Sequence, residues 1–363
     1  MNSLSAAFGL FDGEEKEEEE EEQEGPKDEE RGHVEEGLSS AGVSIHVRNA
    51  LIQGMTVPLS EEEQGGSTFS LETIQRAVAC LRNYGMVILP KLFDPEKMRK
   101  LGGAAIRDLD CYLALAAARG AHAGSSDFGH SYLELASRHE GRYELRNGDA
   151  MRGALENGKE GGLNLQRHRG ILSVLREACA APGHALVEGQ PGDEIVARDV
   201  GAFVSLPGAA DQSLHADNDH LFWHQTLPPH VVTMFLPGCL ITSDGDAALG
   251  HAETGTARED QDLVGWTSFF PRTQRIEAAA AVLASPAVSL DDRRSVCPNL
   301  DAGDVILYDA RLLHFGLSNR SSRTKRPLLY VSFVRKWYTD KQNWGTESLI
   351  GTDASAPPIL KEG

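Results

Sequence analysis

The chain has 363 residues, of which 40% are hydrophobic, so it is long enough for one large β-rich domain or two average domains. A formal net charge of −19 argues against general nucleic-acid binding, which needs a basic surface. The five cysteines are widely spaced, form no C-x-x-C pair, and are accompanied by no apolar run of about 18 residues. This favours an intracellular, cytoplasmic protein without disulfides or a membrane span.

Most of the negative charge lies at the start of the chain. Residues 1–36 contain 15 Asp and Glu against three Lys and Arg, whereas the other 327 residues carry a net charge of only −7. Such a like-charge block repels itself and has no apolar period, so residues 1–40 are predicted to be a disordered, solvating tail. The alternative is an acidic arm for a basic protein partner, which nothing else in the sequence supports. The folded domain is predicted over 41–345 and a C-terminal tail over 346–363.

The first half of the domain is predicted to be mainly helical. Ser70 and Asp94 are suitable N-caps, Pro95 fits the first turn of a helix, and Gly85 suits a helix end. The predicted elements are helices over 70–85, 94–119 and 170–180, and a short buried strand over 86–90.

The pattern changes near residue 194 to short β-branched and aromatic runs bounded by Gly, Pro, Asp and Asn. Strands are predicted within 194–208, 230–242, 304–316 and 326–338, with a helix over 275–284 between them. Helices followed by closely spaced strands indicate an α+β, mainly β fold. We expect a double-stranded β-helix (jelly-roll, cupin-like) core over about 194–338, with flanking helices.

The stretch DQSLHADNDHLFWH, residues 211–224, suggests a metal site. His215 and Asp217 are two residues apart, and on a strand such side chains project to the same side. They supply two-thirds of the 2-His-1-carboxylate triad that holds non-haem Fe(II). His314, 99 residues further on and directly after an apolar segment, is the predicted third ligand. An HxD tripeptide alone is a weak signal, and His314 is what strengthens it.

Oxygenases with this triad often use 2-oxoglutarate, whose distal carboxylate needs a buried cation. Arg326 begins the last predicted strand, 12 residues after His314, and its planar guanidinium can bind a carboxylate through two hydrogen bonds. A turn between two antiparallel strands would return Arg326 to the side of His314. Arg323 is the alternative for the same role, and Thr233 on a neighbouring strand is placed to hydrogen-bond the co-substrate.

QSLHAD together with GDVILYDARLLHFGLSNRSSRTKRPLLYVSF resembles the phytanoyl-CoA dioxygenase family of Fe(II)/2-oxoglutarate oxygenases. The family pattern is HxD, then a distal His after a GD-strand, an Asn, and a basic residue on the last core strand. The segment LRNYGMVILPKLFDPEKMRKL resembles the opening of the family, so the likeness covers roughly residues 70–340. LGHAETGTARED, 249–260, departs from the pattern, because Ala257 stands where the family often has a His.

The resemblance implies a dioxygenase that hydroxylates a small organic substrate with O2 and converts 2-oxoglutarate to succinate and CO2. It implies Fe(II) held by the three predicted ligands, 2-oxoglutarate held by Arg326, ascorbate as reductant, and no other catalytic residue. Because Asp217 is a carboxylate where a halogenating relative has a small residue, hydroxylation or a related oxidation is expected. The loop-rich region 120–165 and the segment 251–300 are expected to cover the pocket.

Other functions are compatible with the same sequence. The fold could be a non-catalytic metal-binding β-sandwich that serves as a scaffold, or a cupin-type metal protein that does not use 2-oxoglutarate and so needs no buried arginine. His220 and His224 have the i, i+4 spacing of zinc ligands but lack the Glu of the HExxH motif. Phe222 and Trp223 are expected in the core or a pocket wall, and His230 at the surface.

Overall fold

The computed structural model describes residues 40–121, 132–146, 148, 163, 165, 168–239, 264–285, 294–339 and 347–350. Apart from residue 40, the predicted acidic tail lies outside these residues, as does the segment 249–260. The described helices lack the combination of length and apolar character that crossing a lipid bilayer requires.

The described residues form five α-helices and nine β-strands, numbered in chain order. The helices are α1 (Ser40–Met55), α2 (Leu71–Tyr84), α3 (Pro95–Ala118), α4 (Arg169–Ala178) and α5 (Ile276–Leu283). The strands are β1 (Met86–Leu89), β2 (Leu135–His139), β3 (Arg142–Arg146), β4 (Ile195–Ser205), β5 (Val231–Pro237), β6 (Thr267–Phe269), β7 (Val305–Asp309), β8 (His314–Gly316) and β9 (Arg326–Arg335).

The strands form two antiparallel sheets. The major sheet has seven strands in the order β1-β7-β5-β9-β4-β3-β2, and the minor sheet pairs β6 with β8. Phe235 and Tyr330 of the major sheet share an apolar cluster with Phe269 of the minor sheet and with Trp266 directly before β6, so the two sheets face each other. This mainly antiparallel β architecture with flanking helices confirms the predicted jelly-roll fold class.

Both faces of the major sheet are covered, which explains why its central strands read as continuous apolar runs. On β5, Val232, Met234 and Leu236 join the large cluster that includes residues of α2, α3 and α4. The alternate residues Thr233 and Phe235 face the minor sheet, as the period of two requires. The sheet therefore separates a helical layer from an inner face on which a site can be built.

The predicted helix starts are confirmed by their hydrogen bonds. The Ser70 hydroxyl accepts from Thr73 N at 3.2 Å, and the Asp94 carboxylate accepts from Lys97 N at 2.8 Å. Gly85 ends α2 with φ 81°, a left-handed conformation that glycine adopts without steric cost.

Some predicted boundaries were wrong. The single strand expected over 304–316 is divided into β7 and β8, which belong to different sheets. For the same reason β8 and β9 are not a hairpin, although the chain does return between them. The region 120–165, expected to be a pocket loop, contributes β2 and β3 to the major sheet.

Part of the segment expected to be a C-terminal tail is packed on the domain. Within 347–350, Leu349 is buried, its backbone N donates to the Glu134 carboxylate at 2.8 Å, and its carbonyl accepts from Arg119 at 2.9 Å. These four residues are therefore held by hydrogen bonds that the sequence pattern did not indicate.

The two glycines inside α3 have different surroundings. A Cβ on Gly102 would lie 2.3 Å from the carbonyl oxygen of Gly238, directly after β5, whereas a Cβ on Gly103 would meet only the end of the Arg107 side chain at 3.6 Å. Gly102 therefore allows α3 to approach the major sheet, while Gly103 has no such function.

We expect Gly102→Ala to lower the free energy of unfolding by about 1–3 kcal/mol, because backbone would have to move to admit the methyl group. Gly103→Ala is the matched control and should raise the free energy by up to about 1 kcal/mol, since alanine is the better helix former. Urea unfolding midpoints measure both. Equal effects of the two substitutions would contradict the packing role of Gly102.

Candidate metal centre

The site is built on a backbone pairing between two distant segments. His215 N donates to His314 O at 3.0 Å, and His314 N donates to His215 O at 2.8 Å, which is the reciprocal pattern of an antiparallel bridge. The pairing continues at Gln212, whose N donates to Gly316 O at 2.8 Å. The segment before Asp217 thus lies along β8, and residues 99 positions apart become neighbours.

The three predicted ligands converge on one point. The ligand atoms of His215, Asp217 and His314 all lie within 4.8 Å of one another, and the imidazole ring centroids are 4.5 Å apart. Asp217 Oδ1 is 3.9 Å from His215 Nε2 and 3.7 Å from His314 Nε2. Within the described part of the chain, this triad of His215, Asp217 and His314 is the one group of three or more His, Cys, Asp or Glu with such geometry.

Hydrogen bonds select the tautomer of both imidazoles. His215 Nδ1 lies 2.8 Å from the carbonyl oxygen of Ser213, and His314 Nδ1 lies 2.9 Å from that of Leu312. A carbonyl oxygen can only accept, so Nδ1 carries a hydrogen in each ring and Nε2 is the nitrogen that faces Asp217. Burial lowers the pKa of His314 to about 4, which keeps that ring neutral, the form that binds metals.

Tyr308 orients the carboxylate. Its hydroxyl donates to Asp217 Oδ2 at 2.7 Å, which leaves Oδ1 for the side of the two imidazoles. Burial, and then the neighbouring Asp217 charge, raise the pKa of Tyr308 well above its usual value, so the hydroxyl stays protonated and donates. Tyr308 carries no sequence signal that marks it as part of the site. Its place on the inner face of β7, opposite Thr233 on β5, follows only from the strand register.

A cavity of about 410 Å³ lies between the sheets and is lined by the triad, Arg326, Thr233 and Tyr308. Arg326 is buried, and burial lowers the pKa of its guanidinium to about 10, so it remains a cation at neutral pH. Its Nη1 donates to the Gly265 carbonyl, and its Nε has no hydrogen-bond partner among the described residues. Arg323, the alternative, is exposed and is not part of the cavity lining.

A second buried guanidinium, Arg142, lines the same cavity and was also missed. Burial, and then the charge of Arg326, lower its pKa to about 9. It lies on β3, in the region that the sequence indicated as a loop. No pattern around it distinguishes it from the exposed arginines nearby, so its burial is visible only in the three-dimensional structure.

A buried ion pair shapes the turn between β7 and β8. Arg311 donates to the Asp309 carboxylate from its backbone N, from Nε at 2.9 Å and from Nη2 at 2.6 Å, and both residues are buried. Ala310 O in the same turn accepts from Asn218 N at 3.0 Å. The turn therefore sends His314 to the minor sheet and also holds the residue that follows Asp217.

The remaining residues singled out in 211–230 lie apart from the triad. His220 and His224 belong to no metal-ligating group among the described residues. Phe222 is 47% and Trp223 is 85% exposed, and neither lines the cavity, so the expectation that they lie in the core or a pocket wall was wrong. His230 was expected at the surface but is buried, with its ring 4.4 Å from that of Tyr338.

No protein-family model and no curated protein matches the chain. Among solved structures, AviO1 from Streptomyces viridochromogenes Tue57 is similar at 14% identity and a TM-score of 0.40, over 73% of this chain and 96% of that one. The epimerase SnoN in complex with Fe3+, alpha ketoglutarate and nogalamycin RO has 12% identity and a TM-score of 0.42, over 73% and 84%. EctD from S. alaskensis with bound Fe has 18% identity and a TM-score of 0.39, over 75% and 80%. Likenesses this low transfer no function, so the chemistry must be inferred from the atoms of the site.

If the triad holds a divalent ion, Tyr308→Phe should weaken its binding by roughly 10–100-fold, because Asp217 loses the donor that fixes its orientation. Mn(II) affinity, measured from the electron paramagnetic resonance signal of free Mn(II), tests this directly. Tyr330→Phe is the matched control, since Tyr330 is also buried on the inner face but bonds Glu144 instead. Equal affinity in the Tyr308→Phe and wild-type proteins would contradict the orienting role.

Proposed function

We propose that the protein is an Fe(II)- and 2-oxoglutarate-dependent dioxygenase that hydroxylates a small organic substrate, of the type represented by the phytanoyl-CoA dioxygenase family. The observation that supports this most strongly is the presence of the triad and a buried arginine in one cavity. A cupin-type metal site that does not use 2-oxoglutarate gives no reason for a buried cation with an unused donor there. The buried cation is the guanidinium of Arg326, and its Nε has no hydrogen-bond partner among the described residues.

The donor set fits Fe(II). Two imidazole nitrogens and one carboxylate oxygen on a single side of a cavity leave further positions for other ligands, as the 2-His-1-carboxylate arrangement requires. The hydrogen bonds of both Nδ1 atoms and of Tyr308 supply the outer contacts that usually orient such ligands. His215, Asp217 and His314 are therefore the residues that would hold the metal.

The rest of the cavity fits the co-substrate. Arg326 would bind the distal carboxylate of 2-oxoglutarate, since a guanidinium has five N–H donors and here uses few of them. Thr233 would add a hydroxyl from β5. Arg323 is the weaker candidate, because its exposed position gives a carboxylate no shelter from water.

When bound, Fe(II) would supply the oxidising chemistry, in which 2-oxoglutarate becomes succinate and CO2 and one oxygen atom of O2 enters the substrate. The residues of the chain would bind and orient the metal and 2-oxoglutarate and would shield them from water. Phe269 stacks on His314 with ring centroids 5.7 Å apart and helps to exclude water from that side. Asp217 occupies the position that halide would need, so we propose hydroxylation or a related oxidation instead of halogenation.

Purified protein with Fe(II), ascorbate and 2-oxoglutarate should form succinate slowly, even without a substrate. His215→Ala should abolish both Mn(II) binding and succinate formation, because the triad loses one of its three donors. His220→Ala is the control and should retain both. Wild-type protein that binds the metal but forms no succinate above the blank would contradict the proposal and favour a scaffold function.

Arg326→Gln should raise the KM for 2-oxoglutarate roughly 10–150-fold with little change in Mn(II) affinity, because hydrogen bonds to a charged group contribute about 1.5–3 kcal/mol. Arg323→Gln, the control, should leave KM unchanged. Steady-state succinate assays measure both values. The opposite pattern, with the loss in Arg323→Gln, would move the co-substrate role to Arg323.

A further inference from the structure

We propose that Arg142 is a positioning residue for the metal centre, which fixes both ligand-bearing segments to the major sheet. The inference rests on the proposed function, since it concerns binding of the metal by the triad. It goes further in giving a role to Arg142, whose hydrogen bonds go to backbone carbonyls near the triad.

Arg142 reaches from the major sheet to both segments that carry the histidines. Its Nε and Nη2 donate to Ala210 O at 3.1 and 2.9 Å, five residues before His215. The same Nη2 contacts Gly316 O at 3.4 Å and donates to Leu317 O, which are two and three residues after His314. One guanidinium therefore joins β3, the segment that leads to His215, and the end of β8.

The chemistry of these contacts requires an arginine. The acceptors are carbonyl oxygens of two different segments, and a planar fork of N–H donors can reach both at once, whereas an ammonium at the end of a flexible chain cannot hold the same geometry. Space is also restricted, since a Cβ on Gly316 would lie 2.8 Å from Arg142 Nη1. The glycine after the predicted ligand strand thus allows the guanidinium to approach β8.

Arg142 and Arg326 both line the cavity that contains the triad and the proposed co-substrate site. Both side chains flank Ser205 in the register of β3, β4 and β9, so they lie in one row of the major sheet. Arg326 donates to Gly265 O beside β6, and Arg142 donates to carbonyls at the end of β8. Each guanidinium crosses between the sheets at the same end of the cavity, which sets the distance between the metal ligands and the buried cation.

The test compares Arg142→Met and Arg142→Lys with Arg335→Met. Arg335 is a matched control, because it too lies on the major sheet and donates to two carbonyls, Cys179 O at 3.0 Å and Gly192 O at 2.6 Å, but neither is on a segment that carries a triad residue. The readouts are Mn(II) affinity of the otherwise metal-free protein and its thermal unfolding midpoint without metal.

We expect Arg142→Met to weaken Mn(II) binding roughly 10–100-fold and Arg142→Lys to weaken it less, while Arg335→Met lowers the unfolding midpoint without changing Mn(II) affinity. If Arg142→Met does not fold, the Mn(II) affinity of the Arg142→Lys protein tests the inference instead. Mn(II) affinity of the folded Arg142 variants within twofold of wild type would overturn the inference and leave the proposed function intact. Wild-type protein that binds no Mn(II) would contradict the proposed function itself.

Discussion

The site depends on one backbone interaction, the antiparallel bridge between His215 and His314. Its two reciprocal hydrogen bonds, at 2.8 and 3.0 Å, bring together segments that the sequence separates by 99 residues. Once they are paired, the position of Asp217 two residues on places its carboxylate within 4 Å of both Nε2 atoms. The imidazoles need no further adjustment, because the carbonyls two residues before each of them fix their tautomers. Metal-binding geometry is therefore a consequence of strand pairing.

The bridge is useful only if the minor sheet is held at the right distance from the major sheet. Apolar packing around Phe269 and Trp266 fills the space between the sheets, but it does not define a direction. The guanidinium of Arg142 does, since it donates to carbonyl oxygens of both segments that carry the histidines, while the buried guanidinium of Arg326 donates to Gly265 O. Two buried cations close enough to influence each other repel, and in the proposed function the distal carboxylate of 2-oxoglutarate would offset that repulsion.

The fold class and the convergence of the triad and Arg326 on one cavity could be predicted from the sequence, whereas Tyr308 and Arg142, which line the same cavity, could not. Two histidines, an aspartate and an arginine in this order beside apolar strands form a rare pattern. The pattern therefore indicated Arg326 together with the triad. Tyr308 and Arg142 escaped notice because an aromatic residue in a strand and an arginine in a polar region carry no distinctive signal. The division of 304–316 into two strands coincides with the ion pair of Asp309 and Arg311, whose burial the sequence pattern did not indicate. Trp223 is exposed, which the sequence pattern could not indicate, since single large apolar side chains are common on protein surfaces.

The central claim is that His215, Asp217 and His314 hold one divalent ion beside a buried arginine. The most direct measurement is a crystal structure of the protein soaked with Mn(II) and 2-oxoglutarate under anaerobic conditions, with anomalous diffraction data. The account predicts a single anomalous peak bonded to both Nε2 atoms and to Asp217 Oδ1, with the distal carboxylate of 2-oxoglutarate on Arg326. Mn(II) bound elsewhere, or a triad without density under saturating metal, would contradict it.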